Sequence, residues 1–333
     1  IIPTSQRYSH VLGDDRDKTL NKRYYSISSW LLSRFGERVY KVTLESGFSC
    51  PNRDGSFGRG GCIFCHPASY HPATAPVHGG SEKPIRAQIE EGIEYLRRRH
   101  GAARFIGYFQ RGSNTHASPK AMAVVFGEAI SHPDVAGLAI STRPDCIDAD
   151  RIEVLSALAG KKPLWVELGL QSAHDKTLIA IRRGHSSSCF AEAARRLGEA
   201  GIPTCAHVIL GLPGETPEMM KETARFINGC GIWGVKIHNL HVLKGTELSR
   251  LYEAGELSLP ALEEYASWVA DFLEELDPST VVHRVSGHSP RMLTQAPTWS
   301  PNKLGIMNAV DAEMKRRESR QGLRFTSPSA EGS

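Results

Sequence analysis

The chain has 333 residues, of which 40% are hydrophobic and seven are cysteine, and its formal net charge is +4. That length supports one large core or two modest ones, and so small a charge excludes a surface basic throughout, so any nucleic-acid contact must come from a local patch. No apolar run approaches the roughly eighteen residues that span a bilayer, and the start, "IIPTSQRYSH", lacks a charged n-region and an apolar h-region; with an odd cysteine count, a cytoplasmic protein with reduced thiols and no disulfide framework is expected.

In chain order, residues 1–38 are expected to form an N-terminal helical extension, with Trp30, Leu31, Leu32 and Phe35 as its packing face. Apolar, β-branched runs then recur: "VYKVTL" (39–44), "RFIGYF" (104–109), "GLAIST" (137–142), "LWVELGL" (164–170), "TCAHVIL" (204–210) and "GVKIHNL" (234–240). Continuous apolar runs of this length read as strands buried on both faces, as in parallel sheets. Between them lie helical patterns. Residues 84–100 carry Pro84 at the start and basic residues in the last turn, residues 118–130 open on Ser118 and Pro119, and residues 216–227 open on Thr216 and Pro217. Six strand–helix units imply an α/β fold with right-handed crossovers. A doubly wound sheet and a barrel both fit that pattern. Six units are two short of a full barrel, so the expectation is a partial (βα)6 TIM-like barrel over 39–278. Residues 279–321, with one strand-like run, many turns and a final helical segment from 306, are expected as a C-terminal extension packed on the barrel. The Ser-, Gly- and Pro-rich residues 322–333 are expected to be disordered.

The stretch "SCPNRDGSFGRGGCIFCHP" (49–67) places Cys50, Cys62 and Cys65 just beyond the carboxyl end of the first expected strand, the rim where barrel enzymes build active sites. A redox pair at 62 and 65 would leave Cys50 unexplained, and three unrelated buried thiols would not need so many glycines to fold the loop back. A metal or cluster fits better. Spacing alone leaves zinc, with His66 or His71 as a fourth ligand, and an iron–sulfur cluster equally open.

The loop resembles the cluster loop of the radical S-adenosylmethionine (SAM) superfamily, with Phe64 in the aromatic place before the last cysteine. The usual spacing of the first two cysteines is shorter; the long gap is similar to that of the Elongator catalytic subunit and of the YhcC-like family. The latter resemblance runs from about Tyr24 to Gln321 through "GFSCPNRDG", "GGCIFC", "STRPDC", "WVELGLQS", "GLPGET", "KIHNLHVLKGT" and "APTWSPNK". It implies a [4Fe-4S] cluster on Cys50, Cys62 and Cys65, with the fourth iron left to SAM. By the same resemblance, Gly112, Ser113 and Asn114 would hold the SAM amino group, and Thr142 and Arg143 would lie near SAM, Arg143 gripping its carboxylate through two oxygens. Gln171 and Arg183 would contact SAM, and His207 would take a place near the ribose. Glu167 joins this set because a carboxylate interrupting an apolar strand is costly unless it has a role.

The function expected is reductive cleavage of SAM to a 5′-deoxyadenosyl radical that takes hydrogen from a substrate, supplied with electrons by a flavodoxin or ferredoxin. The rival is a non-catalytic zinc-binding or scaffold protein on a degenerate barrel. Similarity to Elongator-type enzymes suggests tRNA, at a wobble uridine, as a partner. Lys315, Arg316, Arg317, Arg320 and Arg324, with Arg97, Arg98 and Arg99, would contact its phosphates, unless they are simply solvated helix ends.

Overall fold

The structure, a computed structural model, describes residues 22–66, 83–287 and 289–326. Ser26 opens helix α1 (Ile27–Phe35) by accepting from the Ser29 amide, and Gly36 closes it in the left-handed region. Strand β1 (Val39–Leu44) leads to the short helix α2 (Pro51–Asp54). Then come α3 (Ile85–His100), β2 (Arg104–Phe109), α4 (Pro119–Ser131), β3 (Val135–Thr142), α5 (Ala149–Ala159) and β4 (Leu164–Gln171). The alternation continues through α6 (Asp175–Ala180), α7 (Ser187–Glu199), β5 (Thr204–Leu210), α8 (Pro217–Gly229) and β6 (Gly234–Asn239). It ends with β7 (Val242–Leu243), α9 (Glu247–Glu253), α10 (Leu262–Glu275), β8 (Val281–Arg284), β9 (Thr294–Ala296) and α11 (Lys303–Arg316).

The six expected strands are present within two residues at each end, because fully buried strands write themselves as uninterrupted apolar runs. Ser118 and Thr216 cap their helices as expected, with proline at the first position. One difference is a seventh strand. The sheet order is β1-β2-β3-β4-β5-β6-β8, all parallel, and β8 pairs with β6 in the register Gly234↔Val281 and Lys236↔Arg284. Residues 281–284 therefore belong to the curled sheet, with α10 as their crossover helix, rather than to an extension beginning at 279. At the chain's end, residues 322–326, expected in a disordered tail, are bound to α10 through Gly322 N–H to Leu273 O and Arg324 N–H to Glu274 O; residues 327–333 lie outside the described residues, as does most of the N-terminal extension. Among the described residues no helix is long and apolar enough to cross a membrane.

Alternation along each strand sorts its side chains. Val42, Leu44, Phe105, Phe109, Leu138, Ile140, Val166 and Val208 face the helical layer and form the main core. The opposite residues face the inside of the curl. Its lower part is apolar, with Ile106, Ala139, Trp165 and Cys205. Helix α1 closes it: Trp30 meets Trp165 and Trp233 edge-on at 6.4 and 4.9 Å, and Ser26 bridges to Val282 on the edge strand. The packing face expected on α1 is thus a plug at the amino-terminal end of the barrel.

Above that layer lies Glu167, fully buried on β4. Its carboxylate pairs with Lys41 Nζ of β1 at 3.0 Å and with Lys236 Nζ of β6, and it accepts from Ser141 Oγ of β3 at 3.1 Å. His207 Nε2 of β5 lies at 3.0 Å and His283 Nδ1 of β8 at 3.6 Å. Burial alone would raise the Glu167 carboxyl, but the two lysines hold it well below the usual carboxylate range. Lys236, buried and donating to Tyr108 OH at 2.6 Å, is pushed down to about 7 by that burial.

Replacing Glu167 with Gln keeps the volume but leaves the buried Lys236 and the half-buried Lys41 facing no anion. The expected loss is roughly 3–5 kcal/mol of unfolding free energy in urea titration; a loss under about 1 kcal/mol would show that the pairs hold nothing together.

Candidate functional site

The loop after β1 turns back on itself at once. Cys50 precedes Pro51, the first residue of α2, and its carbonyl accepts the amides of Arg53 and Asp54. Gly55, Gly60 and Gly61 take positive φ, which only glycine adopts without strain. The amides of Gly55, Gly58 and Gly61 bond to carbonyls of the loop itself, Gly58 O, Pro51 O and Asn52 O, so these glycines shape the loop and do not offer free N–H groups to a ligand. The second half docks by Ile63 N–H to Ile181 O and Leu248 N–H to Ile63 O. Ile63 and Phe64 pack with Leu178, Ile181 and Leu248 in a satellite core.

These bonds bring Cys50, Cys62 and Cys65 to one wall of a cleft of about 450 Å³ at the carboxyl ends of the strands. Two of the three thiols, Cys62 and Cys65, have nearby donors. Asn52 Nδ2 lies 3.6 Å from Cys62 Sγ, Arg53 Nη1 3.4 Å from Cys65 Sγ and Arg183 Nη1 3.8 Å from Cys62 Sγ. Burial raises the Cys65 thiol, the nearby Cys62 raises it further, and Arg53 partly offsets both. A cationic group bound among the three would relieve that cost.

The other walls come from strand ends. Gly112 and Ser113 follow β2, Thr142 and Arg143 follow or end β3, Gln171 ends β4, and Arg183 stands on the turn between α6 and α7. His207 faces in from β5. Gly112 has φ +76°, and a Cβ there would sit 2.8 Å from Phe48 O; this close approach lets Ser113 N–H reach Ser49 O at 3.1 Å. Gln171 also has a positive φ, 81°, at an irregularity in the β4–β5 ladder. Such backbone strain in a non-glycine residue recurs at functional sites. Arg183 donates from Nη2 to Gly169 O at 2.7 Å.

Two expected contacts fall elsewhere. Asn114 is fully buried and joins three segments: it accepts from Ser46 Oγ at 2.6 Å and donates to Phe109 O and Ser141 O. Glu167 lies below the cleft as the counter-ion of the barrel, touching its lining through His207 and Ser141. Arg143 lines the cleft, but its Nε and Nη2 are held by Asp145 at 2.8 and 2.7 Å, so the two-toothed grip expected for a carboxylate is spent on Asp145, and Nη1 is what remains. Ser113 Oγ, Arg143 Nη1 and Arg183 Nε are buried on these walls and have no hydrogen-bond partner among the described residues. Buried donors left so are costly unless a ligand accepts from them.

His66 lies on the cleft wall beside the cysteines, and His71 lies outside the described residues. Among the described residues no three His, Cys, Asp or Glu side chains converge on one ion. Sequence reasoning missed Asn52, whose Nδ2 also donates to Arg182 O at 2.7 Å and so clips the cysteine loop to the Arg183 turn. No pattern signals it, because its partner is 130 residues away. His238 and Arg284 also line the cleft; Arg284 was not expected there.

Of the eight basic residues expected to hold phosphates, six are paired with carboxylates, and Arg99 and Arg320 are not among them. Arg317 bonds Asp271 and Ser267 of α10, Arg316 bonds Glu313, Lys315 bonds Asp311 and Arg324 bonds Glu274. They cluster at the carboxyl end of α10, which feeds the start of β8, and so lie at the end of the barrel away from the cleft. Arg97 and Arg98 pair with Asp134 and Glu94.

The family model described as Radical SAM superfamily matches residues 52–227, and that described as Radical_SAM C-terminal domain matches residues 232–316. This chain belongs to the radical SAM superfamily. As a radical SAM enzyme it is not the non-catalytic scaffold that its sequence left open. It is 38% identical over 304 residues to Bacillus subtilis YtqA, spanning 91% of this chain and 93% of that protein, and 36% identical to Escherichia coli YhcC over 84% of this chain and 89% of that one. A Methanocaldococcus infernus protein named tRNA uridine(34) acetyltransferase is 33% identical over 157 residues, 46% of this chain and 28% of that protein. In fold the radical SAM chain is similar to the M. infernus Elp3 structure, with TM-score 0.64 and 20% identity over 86% of this chain; it spans 64% of that chain's length.

Gly112→Ala should cost about 1–3 kcal/mol, since the added Cβ meets Phe48 O and the φ is strained. Equilibrium denaturation tests this, and unchanged stability would mean that the loop crossing is not tight.

Proposed function

We propose that this radical SAM enzyme holds a [4Fe-4S] cluster through Cys50, Cys62 and Cys65 and binds SAM with Gly112, Ser113, Thr142, Arg143, Gln171, Arg183 and His207. The observation that carries this reading is one cleft joining three thiols to three buried, unpartnered donors. When bound, the cluster and SAM supply one-electron reductive cleavage of the sulfonium, and the resulting 5′-deoxyadenosyl radical removes hydrogen from the substrate.

The chain's own residues set the conditions for that chemistry. Arg53, Arg183 and Asn52 direct positive or donor groups at sulfur, which stabilises an added electron and favours reduction. Asp145 fixes the Arg143 plane so that Nη1 presents one donor to the cleft. His207 is pushed down to about 3 by burial and stays neutral near pH 7, able to bond a hydroxyl without adding charge. The α1 plug closes the lower end, so solvent and substrate enter from the strand ends, which protects a reactive intermediate. An external one-electron donor, a flavodoxin or ferredoxin, completes the scheme. Seven free cysteines suit a reducing compartment such as the cytoplasm.

A tRNA uridine as substrate is a second reading, favoured by the partial relative of that name. The paired basic cluster on α11 lends it no support. Nucleoside mass spectrometry of tRNA from a deletion strain tests it; an unchanged profile rules it out.

Changing Cys50, Cys62 or Cys65 to Ala should remove bound iron and the thiolate-to-iron absorbance while leaving the circular dichroism of the fold. Arg183→Ala should keep iron and weaken SAM binding about tenfold or more in calorimetry, as expected for loss of a charge-assisted contact. Wild-type iron in Cys50→Ala, or unchanged SAM affinity in Arg183→Ala, would overturn the assignment.

A further inference from the structure

The inside of the curl carries more positive charge than it answers. Among the described residues, Lys41 and Lys236 share the one carboxylate that reaches them, Glu167. Arg284 is the residue left over. It stands on the edge strand β8, beside Lys236 in register, and lines the cleft next to His238 and His207. Among the described residues its side-chain partner is the His238 ring, Arg284 Nε donating to Nε2 at 3.2 Å, and no carboxylate lies within ion-pairing distance. The imidazole accepts these bonds but offsets no charge. Burial first, and Arg284 second, push His238 well below its ordinary range, so it remains neutral. The other titratable groups near enough to feel its charge add no carboxylate: Lys236 and Lys303 are basic, Tyr108 and Tyr265 are buried phenols, and Cys205 is a buried thiol. A guanidinium held this way is oriented by its neighbour and aimed into a cavity, with capacity left for an anionic oxygen.

The thiols and the SAM set do not use it. Arg53 and Arg183 already face sulfur, and the unpartnered donors Ser113 Oγ, Arg143 Nη1 and Arg183 Nε belong to the walls formed by β2, β3 and the turn after α6. Arg284 enters from the last strand of the sheet. We propose that Arg284, oriented by His238, forms a substrate subsite at the floor of the cleft that takes an anionic group, a carboxylate or a phosphate. This rests on the radical SAM reading for the rest of the cleft, and it gives the substrate a chemical class: a molecule with an acidic group that enters the curl. Neutral His238 also bonds it without repulsion.

The test titrates the reconstituted enzyme with inorganic phosphate and, separately, with succinate, by calorimetry with saturating SAM and again without it. Either anion should bind to the wild type, phosphate alone indicating a phosphorylated substrate and succinate alone a carboxylic acid. Arg284→Gln should weaken that binding about tenfold or more, and Arg284→Lys, which keeps the charge but not the fork, should weaken it less. Iron content measured on each variant confirms an intact cleft. Binding of neither anion to the wild type, or equal binding in Arg284→Gln, would overturn the subsite. Iron and SAM binding in the same wild-type sample report on the radical SAM reading separately, so failure of one is not failure of the other.

Discussion

A single carboxylate organises the interior of this barrel. Glu167 is reached from β1, β3, β5, β6 and β8 while standing on β4, so strands far apart in sequence meet at one buried charge. Removing such a charge from water is costly, and only several close partners of opposite sign offset it. The partners are satisfied only when the sheet is curled enough to bring its two edges toward the centre. The curl then gives the strand ends a concave mouth, and that mouth is the cleft. The same arrangement explains why the barrel floor is left cationic: two lysines are consumed by Glu167, and Arg284 on the closing strand is not.

The cysteine loop depends on this frame at second hand. Asn52 bonds to the turn that carries Arg183, and Ile63 bonds to Ile181 just before it, so the thiols are positioned by the β4–α7 connection rather than by their own loop. Arg183 links them back to the strand through Gly169, where a Cβ would stand 2.4 Å from its guanidinium. Thiols, arginine and strand end are therefore bonded into one unit.

Much of this was legible in the sequence. Buried strands appear as apolar runs, helix starts appear as Ser or Thr before Pro, and three cysteines with glycines between them point to the strand-end rim where the cleft is found. The seventh strand was not counted, because "VVHR" is four residues long and lies amid turns. Glu167 stood out for a sound reason, an expensive buried charge, but it was assigned to SAM, because its partners, Lys41 and Lys236, are 126 and 69 residues away and leave no local mark. Arg143 was assigned a two-toothed grip because its guanidinium can bind both oxygens of a carboxylate; that the carboxylate is Asp145, two residues on, emerges only in the fold. The basic run on α11 looked like a phosphate patch until its carboxylate partners on α10 and within α11 were placed beside it. Local chemistry was readable; pairing across the fold was not.

The central claim is that the three thiols hold a cluster whose remaining iron is open to SAM. Mössbauer spectroscopy of enzyme reconstituted anaerobically with ⁵⁷Fe, recorded with and without SAM, tests it directly. The account predicts about four irons per chain, of which one changes its signal when SAM is added and the others do not. A colourless protein with stoichiometric zinc, or a cluster in which no iron responds to SAM, would contradict it.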